Sequence, residues 1–231
     1  QATTGRDLND SKIRRTEFSS LHVFFIAGAA TIFSSCANAE TRKFNETGFD
    51  AIDVSAGIVV NLTVGGEYAI EAEGETKALE KLVIRKTGDT LRIGRKNGFV
   101  SFGPQDDITV TISAPQIDDL GASSGAMVNA VSLSSDEYSF EASSGAAINA
   151  SGDQCSALEA DASSGAEINT LNLSCAKAVA EASSGARLRL MVTDELSAAA
   201  SSGAAVVVSG RPEKLQTNTS SGGEVQIKNQ R

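Results

Sequence analysis

Residues 141–150 read Glu-Ala-Ser-Ser-Gly-Ala-Ala-Ile-Asn-Ala, and residues 161–170 read Asp-Ala-Ser-Ser-Gly-Ala-Glu-Ile-Asn-Thr. The string Ala-Ser-Ser-Gly-Ala stands at 122–126, 142–146, 162–166, 182–186 and 200–204. A decayed copy, Thr-Ser-Ser-Gly-Gly, stands at 219–223. The glycines Gly125, Gly145, Gly165, Gly185, Gly203 and Gly222 are spaced by 20, 20, 20, 18 and 19 residues. A period near 20 belongs to solenoids, whose units stack because none can bury its apolar side alone.

Each unit alternates with period two, the sign of strands rather than helices. Three residues after each glycine stand Val128, Ile148, Ile168, Leu188, Val206 and Val225; five after stand Ala130, Ala150, Thr170, Leu190, Val208 and Ile227. The positions between are mostly polar: Asn129, Asn149, Asn169, Arg189, Val207 and Gln226. Before the glycine, Phe140, Ala160, Ala180 and Ala198 share one position, and Glu141, Asp161 and Glu181 share the next. A unit thus reads as strand, turn, strand and Ser-Ser-Gly bend, with Ile148, Ile168 and Leu188 inward and Asn149, Glu167 and Arg187 outward. The many inward alanines imply a narrow interior.

A further copy, Asp53-Val54-Ser55-Ala56-Gly57-Ile58-Val59-Val60-Asn61-Leu62, lies well upstream. The same structure should therefore start near Phe49. Between the two regions, Tyr68–Glu73, Leu82–Arg85, Leu91–Ile93 and Ile108–Ile112 alternate as short strands. Thr87-Gly88-Asp89-Thr90 reads as a hairpin turn, and Thr76–Leu82 as one short helix. The expected fold is all-β: a single-stranded β-solenoid or β-helix-like stack with rungs of about 20 residues. A less regular strand-rich part (40–118) precedes the regular repeats (119–231), and 40–231 forms one exported domain.

The pattern (Asp/Glu)-x-Ser-x-Gly with alternating apolar residues, after a strand-rich N-terminal part, resembles a bacterial family of exported proteins described as putative auto-transporter adhesin, head GIN domain. The resemblance covers about residues 44–229. It implies a β-solenoid-like fold and an exported or envelope location. An autotransporter carries a membrane barrel of many alternating strands of roughly ten residues. None follows the last repeat before Arg231, so the chain is not expected to secrete itself.

The export expectation also rests on the N-terminus. Lys12, Arg14 and Arg15 precede an apolar run from Leu21 to Phe33. That run is too short for a bilayer span, which needs roughly 20 residues, and suits a signal-peptide core. Ala37-Asn38-Ala39 offers an A-x-A cleavage site, so residues 1–39 read as a signal peptide with an N-terminal extension. Lipidation at Cys36 is less favoured, because Phe33-Ser34-Ser35 fits poorly before a lipoprotein cysteine. The destination is the periplasm, the outer-membrane surface or the extracellular space, with no transmembrane segment in the mature chain. Residues 1–39 hold four basic and three acidic residues of the chain's 20 and 29, leaving 16 against 26, a net −10. That balance argues against nucleic acid, which calls for Lys and Arg against phosphate.

Inventory then limits chemistry. Gly121-Ala122-Ser123-Ser124-Gly125 matches the nucleophile elbow G-x-S-x-G. Such a serine normally needs a histidine base, and the only histidine, His22, lies in the leader. The expectation is no catalytic residue, no metal site, since zinc calls for His and Cys clusters, and no cofactor. Two surface ladders are candidates instead. Asn129, Asn149 and Asn169 form a column suited to ligand contact or to an amide ladder; the remoteness of Asn61 leaves its place relative to them open. Glu141, Asp161 and Glu181 form an acidic column at about 4.8 Å spacing, either solvated or bridged by a hard cation. Cys155 and Cys175 each stand ten residues after a repeat glycine, the same site on consecutive rungs, and are a candidate disulfide.

These features point to a non-catalytic envelope or cell-surface protein, acting in adhesion or ligand binding through an extended β-surface. Partners in view are a surface glycan or a matrix or envelope protein, with homo-oligomer formation open. The alternatives are an assembly scaffold and a polysaccharide-active β-helix enzyme. The enzyme is disfavoured by the few aromatic residues available to stack on sugars.

Overall fold

The structure, a computed structural model, describes residues 39–96 and 107–228. The leader features, including Cys36 and His22, and residues 97–106 and 229–231 lie outside the described residues. In chain order the strands are β1 (Ala39–Phe44), β2 (Ala51–Val54), β3 (Val59–Val64), β4 (Ala69–Glu75), β5 (Leu82–Thr87) and β6 (Thr90–Arg95). Then come β7 (Ile108–Ala114), β8 (Asp119–Ala122), β9 (Met127–Leu133), β10 (Glu137–Ala142), β11 (Ala147–Gly152) and β12 (Cys155–Ala162). The last are β13 (Glu167–Ala182), β14 (Arg187–Ala200), β15 (Ala205–Ser209), β16 (Lys214–Thr219) and β17 (Glu224–Lys228). One short helix, α1 (Thr76–Leu79), lies between β4 and β5.

Two parallel ladders make a β-solenoid. The strands leading into each bend pair in the order β6, β2, β8, β10, β12, β13, β14, β16. The strands leaving each bend pair as β7, β3, β9, β11, β13, β14, β15, β17. Like residues pair with like, for example Ile148 with Ile168 and Ile168 with Leu188. All three are fully buried, whereas Asn149 and Arg187 are exposed and Glu167 is partly so. A one-residue slip would exchange these faces, so burial holds the register.

The bend explains why the sequence repeats Ser-Gly. Ser164 has φ 53° and Gly165 has φ 72°, and the same pair of values recurs at every Ser-Ser-Gly. Two successive left-handed residues, closed by Ala166 N–H donating to Ser163 O at 3.1 Å, make a type I′-like turn. This conformation also feeds the stack. Gly57 N–H donates to Ser124 O, Gly125 N–H to Ser144 O, and the series continues to Gly203 N–H and Ser221 O. The glycines therefore form one column, and the bend backbone, exposed at its tip, hydrogen-bonds along the axis. Ala162 and Ala166 flank the bend inside, both buried; the 51–64 rung carries the larger Val54 and Ile58 at the same two positions, also buried.

The first rung departs from the simple division at residue 118. Ala51–Val64 is a regular rung that stacks directly on 119–133, although 68 residues of sequence separate Gly57 from Gly125. The intervening residues extend the stack beyond it: β6 and β7 pair in parallel with β2 and β3. The β5–β6 hairpin and the antiparallel β4–β7 and β1–β4 pairs finish this end. Helix α1 buries Ala78 and Leu79 there, and Arg42 donates to Leu79 O at 3.0 Å. No helix among the described residues is long and apolar enough to cross a membrane.

Candidate functional site: the groove along the serine bends

Register turns single residues into columns. On the outer face beside the bend, Asp53 pairs with Gly121, Gly121 with Glu141, Glu141 with Asp161, and Asp161 with Glu181. The column continues through Ala199 to Asn218. Two residues further on, the serines Ser123, Ser143, Ser163, Ser183, Ser201 and Ser220 form a parallel row. Between them runs a groove of about 470 Å³, with alanines such as Ala142, Ala162 and Ala182 beside the two rows. Glu141, Asp161 and Glu181 are thus brought together, with Asp53 joined to them across Gly121. The sequence offered the Asp53 match but not the concavity, which needs the bends in three dimensions.

Burial pushes the Asp161 carboxyl above its ordinary value, and the carboxylates of Glu181, Glu159 and Glu141 add to that shift. Burial likewise raises Asp119, with Asp118, Asp50 and Glu141 contributing. The groove is therefore a strip of carboxylates at strand spacing beside hydroxyls that donate and accept. Such a lining suits polyhydroxylated or cationic groups. Among the described residues, no aromatic and no basic side chain lines it.

The asparagine column lies on the other ladder. Asn129 Nδ2 donates to Asn61 Oδ1, and Asn149 Nδ2 to Asn129 Oδ1, each at 3.1 Å. Asn61 is thus adjacent to Asn129, because the first rung stacks on the second. Asn169 follows Asn149 in register but turns its Oδ1 to the N–H of Leu171, at 3.3 Å. Cys155 and Cys175 are register partners joined as a disulfide, with Cα atoms 4.4 Å apart. The elbow-like Ser123 lies in the groove beside Glu141 and Ser143.

A rung stack with a serine-glycine bend column is the architecture of a β-solenoid. The chain belongs to the family described as putative auto-transporter adhesin, head GIN domain, whose model matches residues 48–230. Among solved structures it is similar to a putative adhesin from Bacteroides fragilis, at TM-score 0.62 and 15% identity over 83% of this chain and 96% of that one. A putative adhesin from Parabacteroides distasonis matches at TM-score 0.54 and 14% identity, covering 84% of this chain and 98% of the other. One from Parabacteroides merdae matches at TM-score 0.53 and 16% identity, covering 82% and 96%. At these identities the likeness is one of fold. A search of curated proteins gives no match.

Proposed function

We propose that this protein is a non-catalytic adhesion or ligand-binding protein of the cell envelope or surface, and that its ligand, a surface glycan or a matrix or envelope protein, lies in the groove along the serine bends. The observation that carries the reading is the unbroken register from Asp53 to Glu181, which lays carboxylates and hydroxyls in two straight rows on a rigid stack. Family membership supports an adhesion-like role at the surface. The absence of aromatic and basic groups from the lining favours binding over polysaccharide cleavage, which typically stacks sugar rings on aromatics. Without His or Lys beside it, Ser123 has a structural role in the bend.

The test is an array of glycans and matrix proteins probed with the full chain and with a variant carrying Glu141→Lys and Glu181→Lys. Both side chains are exposed, so the variant should melt no lower than the parent while losing most binding to whatever the parent retains. Binding that survives both changes would remove the ligand from the groove. Polysaccharide turnover lost in the same variant would replace the binding reading with an enzymatic one.

A further inference from the structure

The two ends of the solenoid differ. At the β6–β7 end, the rung is overlain by the antiparallel strands β5, β4 and β1 and by α1, and the outer strand is charged, with Glu40, Arg42 and Lys43. At the other end nothing among the described residues overlies the last rung: β16 pairs only with β14, and β17 only with β15. Every residue of β16 is exposed, and Leu215, which pairs with the buried Leu196, is 52% exposed. Val225 and Ile227 pair with the fully buried Val206 and Val208 but are only partly covered. Among the described residues nothing closes the apolar interior here.

The free edge has a definite polarity. Glu224 donates its N–H inward to Ala204 O at 2.9 Å. Parallel pairing alternates along the strand, so Glu224, Gln226 and Lys228 spend their backbone groups on β15 while those of Val225 and Ile227 face the open end. An exposed parallel edge of this kind is a template for another strand. The sequence of β17, Glu-Val-Gln-Ile-Lys, is complementary to itself when reversed. Paired antiparallel about Gln226, Val225 and Ile227 of one copy exchange backbone hydrogen bonds with Ile227 and Val225 of the other. On the inner face this places valine against isoleucine and covers the partly buried Val225 and Ile227 of both copies. On the outer face it sets Glu224 opposite Lys228 twice and Gln226 opposite its own copy. Opposite charges across strands stabilise a pair, and like charges destabilise it. A parallel arrangement in register would instead set Glu224 on Glu224 and Lys228 on Lys228.

The geometry points to the C-terminal edge, centred on Gln226, as a dimerisation surface at which two copies of this chain join end to end by antiparallel pairing of β17. This goes beyond the groove and does not depend on what the groove binds. A C2 interface of this kind presents the same patch on both partners. It turns two stacks of rungs into one of twice the length, with the charged, helix-capped ends outward and two grooves on one particle.

Sedimentation of the full chain over a range of concentrations tests the pairing, with two single charge reversals. Glu224→Lys and Lys228→Glu each create two like-charge pairs across the axis, and each should weaken the dimer by about tenfold. Mixing the two single variants sets unlike charges opposite each other again and should restore a heterodimer at parental affinity. The double variant should also self-associate as the parent does. Rescue in the mixture cannot come from misfolding, which mixing would not repair. A chain that is monomeric throughout overturns the proposal. If hydrogen exchange then shows Val225 and Ile227 protected, the chain's own residues cover the edge; if they are unprotected, the edge is left for a different partner. A dimer indifferent to both reversals also overturns the proposal, because its interface lies elsewhere.

Discussion

Thr170 is fully buried, at the fifth position after its bend glycine, where the other rungs carry Leu62, Ala130, Ala150, Leu190, Val208 and the half-covered Ile227. Its hydroxyl has no hydrogen-bond partner. A buried donor left unpaired costs about 1–3 kcal/mol, whereas an apolar group of the same shape costs nothing of the kind. Thr170→Val should therefore raise stability by about 1 kcal/mol, read as a higher urea midpoint with an unchanged slope. A drop in the midpoint would mean that the hydroxyl is satisfied in solution. The glycines divide by a similar argument. Gly165, at φ 72°, has open space where a Cβ would stand, so Gly165→Ala should cost only the left-handed strain of about 1 kcal/mol. Gly152 is not among the positive-φ glycines, but a Cβ there would run into the Leu133 backbone. Gly152→Ala must displace a neighbouring strand, and should cost more, about 2–3 kcal/mol. Equal midpoint losses in the two variants would contradict this distinction.

At the level of the strand and its column, register makes neighbours of residues twenty positions apart, and this has an electrostatic consequence. Asp161 is flanked by Glu141 and Glu181, and burial, chiefly, with these carboxylates raises its folded pKa above the unfolded value. Between the two values the native state binds more protons than the unfolded chain, so this group's contribution to stability falls as pH rises. Asp161→Asn should accordingly melt above the parent near neutral pH. The advantage should shrink as pH falls through the raised pKa and vanish below the ordinary aspartate value near 3.8. Melting curves of the two proteins across that range check the sign, and a gap that widens on acidification would refute it. The period and the inward-outward alternation behind this column were legible in the sequence, because strand side chains alternate strictly and each bend needs its glycine. The hairpin at Gly88 was legible from its turn residues, and helix α1 only in part: it ends at Leu79, and Leu82, expected within it, opens β5. The groove was not, because a concavity comes from the path of the bends and no residue pattern encodes it. Nor was the place of Asn61: the side-chain hydrogen bond it accepts from Asn129 depends on which rung stacks on which, a choice made by burial of Val60 against Val128 across 68 residues.

Across the whole molecule, each rung touches only its neighbours, so cohesion is a sum of rung-to-rung terms and the stack is as strong as its weakest junction. The Cys155–Cys175 bond crosses one such junction near the middle, between β12 and β13. Both cysteines are buried, and their equal distance from Gly145 and Gly165 made their adjacency readable from spacing alone. The pairing matters to the whole because a break there would separate the early rungs, held by the long-range contacts of 51–64 with 119–133, from the later ones. The bond closes a loop of 20 residues, which in the chain-entropy model is worth about 3 kcal/mol. Intact mass of the non-reduced protein, produced through an oxidising compartment, should show the Cys155 and Cys175 thiols oxidised. Replacing both cysteines with alanine should lower the unfolding free energy by about 3 kcal/mol or somewhat more, since two buried sulfurs are lost as well. Because the coupling is between neighbours, hydrogen exchange in that variant should rise first in β12 and β13 and only later in β2, β3 and β15. Free Cys155 and Cys175 thiols in that sample would remove the bond. Uniform loss of protection from end to end would show that the rungs unfold as one unit rather than junction by junction.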